Sequence, residues 1–210
     1  TGQKISNFRT IKTLKALNEI DPKYIIICNP TSDHIKKIKF IEKNYKNKFV
    51  LIEKPLFSKP EKIKVTKNKY FVGYNLRFNP LMNFLKKKTK SKKIWSVDVL
   101  CGSYLPFWRS NIDYRKSSSA KKRLGGGVLL SQIHEIDYFI NLFQDYKIVK
   151  SHSIISKNST LDIDTEDTVS CIFQLKSKSN TISVNLNLNF YERPKKKSLI
   201  LIFEKSKIEV

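Results

Sequence analysis

The chain has 210 residues, 41 of them Lys or Arg against 18 Asp or Glu, and a formal net charge of +23. With 40% hydrophobic and 11% aromatic residues it is too apolar for disorder, and its longest aliphatic run, around Ile25–Cys28, is too short to span a bilayer. Three widely spaced cysteines (Cys28, Cys101, Cys171) without a C-x-x-C pair exclude a disulfide scaffold and a zinc module, and favour a reducing, cytoplasmic setting.

In chain order, Phe8, Ile11, Leu14 and Leu17 recur at helical spacing, and Asp21-Pro22 ends that segment. Tyr24–Cys28 then forms a continuous apolar run, which predicts a strand buried on both faces, as in a parallel sheet. Asn29–Asp33 reads as a turn with several helix caps. A helix follows to about Tyr45, with Ile35, Ile38 and Ile41 inward. Phe49–Ile52 and Tyr70–Gly73 read as two more buried strands, the first ending in Glu53-Lys54-Pro55. Strand, helix, strand with non-alternating strands is the pattern of a doubly wound α/β sheet. The character changes near residues 73–79, which predicts two domains, 1–73 and 74–210.

In the second part Pro80–Lys87 reads as a helix and Ile94–Leu100 as a half-exposed strand. Residues 102–122 read as loop, and Gly125-Gly126-Gly127 opens a helix expected to run unbroken to about Phe143. Leu129, Ile133, Ile136, Ile140 and Phe143 would be its apolar stripe, and Ser131, His134, Tyr138 and Asn141 a polar one beside it. The remainder predicts strands at about Lys147–Ile155, Val169–Leu175, Thr181–Asn189, Ser198–Phe203 and Lys207–Val210. With a hairpin turn at Lys176–Asn180, they make a mostly antiparallel open sheet with one solvated face. An α/β part with an incomplete parallel sheet, followed by an α+β domain, is therefore the expected fold class.

A charge of +23 is the usual footprint of a nucleic-acid binder. Its division into 35 Lys and six Arg, beside 25 Ile and 16 Asn, speaks instead for compositional background, because arginine is the residue that reads phosphates and bases bidentately. The runs Lys86–Lys88, Lys92–Lys93 and Lys195–Lys197 read as loops and a strand edge. No recognisable nucleic-acid-reading module and no membrane segment accompany them, so neither partner is expected.

Four groups of residues are candidates for chemistry. Lys54 sits where a parallel strand ends, the edge at which α/β sheets bind ligands, and Asn29–Thr31 occupies the same edge of the preceding strand. A lone exposed lysine is the plainer reading of Lys54; the shared edge raises the functional one. His134 follows the triple glycine on a helix and exchanges protons near neutral pH, although a histidine satisfied by local hydrogen bonds fits equally. Tyr104, Trp108 and Arg109 combine flat apolar faces with a bidentate donor, suited to a sugar or an anion, or to a subunit contact. Asp162, Asp164, Glu166 and Asp167 read as a solvated acidic turn rather than a cation site. His34 reads as a helix-start residue packing on the turn, and His152 carries no signal.

Three segments in order, "IIICNPTSDH", "VLIEKPL" and "GYNLRFNP…GGGVLLSQIHEIDY", resemble the glucose–fructose oxidoreductase, inositol dehydrogenase and MocA family. The likeness runs from about Tyr24 to Phe143. It implies a Rossmann-type first domain and an NAD(P)-dependent oxidoreductase acting on a sugar, cyclitol or sugar nucleotide. A homo-oligomer built on the open sheet face is implied as well. Carried over by residue, Lys54 would polarise the reacting centre and touch the cofactor ribose, and His134 would exchange the alcohol proton. Asn29, Pro30, Thr31, His34, Glu53, Lys54 and Pro55 fall on the cofactor side. Arg77, near the domain junction, falls on the substrate side with Ser131 and Tyr138; Tyr104, Trp108 and Arg109 lie in a loop that varies in the family, and their place as substrate contacts is read from their side chains alone.

Two departures stand out. Where the family has an acidic residue one turn before the histidine, this chain has Ser131, with a spacing one residue shorter. The family's opening strand and glycine-rich pyrophosphate turn are absent. With Met82 as the one methionine, both ends are expected to be cut. A non-catalytic sugar-binding or scaffold protein that keeps the fold is the alternative reading.

Overall fold

The structure, a computed structural model, describes residues 13–210. Phe8 and Ile11 lie outside the described residues. The rest of the expected first helix is a short 3-10 turn, Leu14–Glu19, whose Leu17 packs on the first core.

Strands β1 (Tyr24–Ile27), β2 (Phe49–Ile52) and β3 (Lys69–Val72) pair in parallel in that order. Between β1 and β2 runs helix α1 (His34–Asn44), entered through a 3-10 turn at Thr31–Asp33. Its Ile38 and Ile41 meet Ile27, Val50 and Ile52 in a closed core. Each such aliphatic side chain contributes roughly 1.5–3 kcal/mol by leaving water. The parallel order is as expected, but burial on both faces is not. Ile26 is 65% exposed, and its register neighbours Leu51 and Phe71 are open too. Helix α1 covers one face, and among the described residues no helix lies against the other. An apolar strand sequence reports what a sheet is suited to, not which layers are present.

The second sheet has six strands in the order β5-β6-β7-β4-β8-β9. These are β4 (Ile94–Gly102), β5 (Lys147–Ser156), β6 (Thr168–Lys176), β7 (Thr181–Asn189), β8 (Lys196–Phe203) and β9 (Ser206–Glu209). All neighbours are antiparallel except β4 and β7. Helix α2 (Pro80–Ser91) starts cleanly because Asn79 Oδ1 accepts from the Leu81 N–H at 2.9 Å and proline occupies its first position. Its Met82, Leu85 and Thr89 are buried, and Lys86–Lys88 lie on this helix rather than in a loop. The inner face of the sheet, with Val97, Val99, Val184, Leu188 and Leu201, packs against α2 and the helices after the glycines.

Those glycines do not open one long helix. Helix α3 (Val128–Ser131) and helix α4 (Ile133–Leu142) are separated at Gln132, whose φ of −101° and ψ of 25° leave the helical region. The break rotates the buried face. Tyr138, Phe139 and Leu142 enter the core, whereas Ile140, expected on the inner stripe, is 58% exposed. Among the described residues no helix is long and apolar enough to cross a membrane.

Candidate active site

The site lies where the carboxyl ends of β1 and β2 face the start of α3. Gly125 and Gly127 have φ of 78° and 105°, in the left-handed region that favours glycine, so the chain can double back before α3. Gly126 is enclosed by the carbonyls of Ser118, Ser119 and Lys121, leaving no room for a Cβ. Glu166 then fixes the helix start: its backbone oxygen accepts from the Val128 N–H and its Oε1 from the Leu129 N–H, both at 3.2 Å.

The break at Gln132 has a direct chemical effect. In an unbroken helix the Glu135 N–H would bond the Ser131 carbonyl; here it bonds Gln132 O at 3.1 Å. The freed Ser131 oxygen accepts from Lys54 Nζ at 2.8 Å. Lys54 and the end of α3, 77 residues apart at this bond, are thereby brought to one place, just before the helix that carries His134. Burial pulls the Lys54 ammonium below its ordinary value, against the opposing pull of Glu53 and Glu135.

His134 is pushed the same way, first by burial, then by Lys54 and Lys197, with Glu135 and Asp137 opposing. Among the described residues its buried Nδ1 has no hydrogen-bond partner, and its ring meets Tyr74 edge-on at 6.1 Å. Both nearby acids are already engaged. Asp137 takes a bidentate grip from Arg77, with Nε–Oδ2 at 2.8 Å, and Glu135 Oε1 holds Lys197 at 2.6 Å. The Ser131 hydroxyl donates to Ser119 Oγ at 3.0 Å rather than supporting His134.

Two adjoining clefts meet here. The first, about 380 Å³, is lined by Asn29, Pro30, Thr31, Glu53, Lys54 and Pro55, with Ser117–Ser119, Tyr114 and Gly125 opposite. The second, about 520 Å³, holds His134, Tyr104, Phe107, Gln132, Glu135 and the segment Glu192–Lys197. Trp108, Arg109 and Ser131 line both. Cys101 borders the second cleft, but burial and Glu135 raise its thiol to about 11, so it stays protonated at neutrality.

Three of the residues expected at the site stand back from the clefts. His34 is 1% exposed, its ring nitrogens 3.0 Å from Asn29 O and 3.1 Å from Pro55 O and Leu56 O. It ties the two strand-end turns together from behind. Arg77 is spent on Asp137, clamping the segment after β3 to α4. Tyr138 is 2% exposed beneath Glu135. The acidic turn is consumed by backbone: Asp164 Oδ1 accepts from the Lys122 N–H, and Asp167 accepts from Asn158 and Ser159. Gln132, Glu135, Glu192, Arg193, Lys195 and Lys197 were missed. Lys195 and Lys197 sit in a lysine run after Pro194, indistinguishable from the many others, while Gln132 and Glu135 flank His134 in the glycine-led segment.

No protein-family model matches the chain. Inositol 2-dehydrogenase of Rhizobium meliloti (strain 1021) is 26% identical over 187 residues, covering 84% of this chain and 53% of that protein. The WlbA dehydrogenase of Bordetella pertussis, solved with NADH and UDP-GlcNAcA, superposes with a TM-score of 0.72 at 16% identity, over 96% of this chain and 59% of that one. An inositol dehydrogenase homologue of Azotobacter vinelandii, solved with NAD+, gives 0.70 at 13%, over 93% and 55%. The scyllo-inositol dehydrogenase of Lactobacillus casei gives 0.64 at 17%, over 90% and 56%. The chain thus has the fold of these dehydrogenases and spans a little over half their length. The likeness to the glucose–fructose oxidoreductase, inositol dehydrogenase and MocA family extends well beyond the motifs.

Proposed function

We propose that this chain carries the catalytic and substrate side of an NAD(P)-dependent oxidoreductase that interconverts a CH–OH group and a carbonyl on a sugar, cyclitol or sugar nucleotide. The observation that carries the reading is the bond from Lys54, which lines the first cleft, to the carbonyl of Ser131, which lines both clefts and stands three residues before His134 in the second. The first cleft fits a nicotinamide ribose. It is walled by strand-end turns, offers the hydroxyls of Thr31 and Ser117–Ser119, and is closed at Gly125, where a Cβ would meet Thr31 and Ser58. When bound, the dinucleotide supplies the hydride acceptor or donor.

The protein's own part is proton handling and orientation. The Lys54 ammonium, anchored on Ser131 O, directs its remaining hydrogens toward a substrate oxygen and favours negative charge developing there. The neutral imidazole of His134 takes the carbinol proton at Nε2, the ring nitrogen not shut in by its neighbours, and returns it in the reverse direction. Trp108 and Arg109, shared by both clefts, orient the substrate across the junction. Oligomerisation belongs to the same proposal: the outer face of the second sheet exposes Ile154 and Ile172, 54% and 63% open, and Ile202 on β8, three strands from Ile172.

Steady-state oxidation of a sugar and cyclitol panel, followed by reduced nicotinamide, tests this. Lys54→Met and His134→Gln should each lower kcat about 100-fold or more. Near-normal rates would remove these residues from the mechanism. Sugar binding with no turnover by the unaltered protein would favour the non-catalytic alternative.

A further inference from the structure

Within that proposed reaction the second cleft has a chemical character that narrows its ligand. Four buried side-chain polar atoms lack a partner among the described residues, and three of them belong to one stretch: Gln132 Oε1, His134 Nδ1 and Glu135 Oε2. Gln132 and Glu135 are 5% and 2% exposed, and both line this cleft. Each is held by its other end. Gln132 Nε2 donates to Asn189 O at 3.2 Å, and Glu135 Oε1 accepts from Lys197 at 2.6 Å. What remains is Gln132 Oε1, with no donor among the described residues, and beside it Glu135 Oε2, whose carboxylate also interacts with the Tyr138 hydroxyl beneath it. A buried acceptor left without a donor is costly, so such a pair suits a ligand that brings hydroxyl groups.

The opposite wall has the reverse character. Arg109, Arg193 and Lys195 line the cleft, and none has a carboxylate within ion-pair distance among the described residues. Glu192 is the one acid among them, and its Oε2 accepts from Asn189 Nδ2 at 3.2 Å. Arginine is scarce in this lysine-rich chain, yet two of its six stand here. The Arg193 guanidinium lies 3.6 Å above the Tyr104 ring, which fixes its plane and leaves its edge donors for an oxyanion.

We propose that the substrate is a polyhydroxylated compound carrying an acidic group, its hydroxyls on Gln132 and Glu135 and its carboxylate or phosphate on Arg193, Lys195 and Arg109. The proposal rests on the reading of this cleft as the substrate side. It adds Arg193 and Lys195 as specificity-determining residues.

Calorimetric binding to the protein tests it without requiring turnover. The probes are glucose and myo-inositol as neutral polyols, glucuronate, glucose 6-phosphate and UDP-glucose as acidic ones, and UDP alone. At least one acidic sugar should bind tenfold or more tightly than either neutral polyol, and tighter than UDP alone. The glucuronate and phosphate arms identify which acid is read. Arg193→Gln and Lys195→Gln should each erase most of that preference. Lys90→Gln, which removes the same charge from the exposed side of α2, should leave it intact. Neutral polyols binding as well as acidic ones would overturn the inference while leaving the oxidoreductase reading in place. A preference equally lost in Lys90→Gln, or UDP binding as well as UDP-glucose, would also overturn it, as adventitious attraction to a basic surface. Binding of no sugar at all would overturn both.

Discussion

At neutral pH the His134 ring carries one proton, because burial, Lys54 and Lys197 all oppose a second. A histidine held below its ordinary value of 6.5 is already a base under physiological conditions. Alcohol oxidation should therefore rise with pH through a limb centred below 6.5 and level off above it. His134→Gln should abolish that limb along with most of the rate. A pH–rate profile of kcat/KM checks this; a limb centred above 6.5 would contradict the environment described for the ring. Lys54 and His134 are legible in the sequence because local grammar marks them, a proline-stopped strand end and a glycine-led helix. Arg193 and Glu135 are not, since their place is set by pairing between distant strands and by a helix break that no periodicity reveals.

Among the elements, α1 is tied down more tightly than its amphipathic pattern suggests. Glu42 accepts from the Thr66 and Lys67 N–H groups at 2.6 Å, from Asn68 Nδ2 at 3.0 Å and from the Tyr70 hydroxyl at 2.9 Å. Burial alone would raise its carboxyl, but these four donors win and hold it at about 2, below the usual 4.5. Its folded value is depressed, so the stabilisation is complete above 4.5 and fades as pH falls from there toward 2. The carboxylate is only partly buried, and screening leaves about 1 kcal/mol of this. Glu42→Gln should cost that amount at pH 7 and little at pH 2, measured as denaturant midpoints. The loop from 61 to 68 carries few apolar residues and reads as a plain connection. Its anchoring to α1 became visible only when β3 was placed beside β2. Similarly, the apolar stripe from Leu129 to Phe143 holds at Leu129, Ile136 and Phe143, which pack on the core, and fails at Ile140. The one-residue-short spacing before His134 was the available clue to the break at Gln132.

For the molecule as a whole, the two sheets leave apolar surface of different meaning. The outer face of the second sheet mixes Ile154, Ile172 and Ile202 with Asp98, Asn185 and Lys207, a polar admixture suited to an interface between folded copies. Ile172→Asp places a charge in the middle of that face, exposed in a single copy and buried in an oligomer. Sedimentation should show the unaltered protein as an oligomer and this variant as a monomer with unchanged circular dichroism. A monomer before the change would refute the interface. The architecture of parallel then mostly antiparallel strands was readable from residue patterns, since apolar runs and alternating strands differ at every second position. The strand order was not, because nothing local records that β4 lies between β7 and β8.

That placement governs the order of events as the chain is made. Val97 has its partners in Val184 on one side and Leu201 on the other, so the central strand waits, unpaired and apolar on one face, until β7 and β8 have emerged. Closing loops of this length delays folding and leaves a sticky edge in the meantime. A nascent chain stopped at residue 180 should be cut rapidly by protease between β4 and β6, while one extended through β9 should resist. The segment from β7 to β9 would then act as the switch between an aggregation-prone precursor and a finished cleft, since it delivers Arg193 and Lys195 to it.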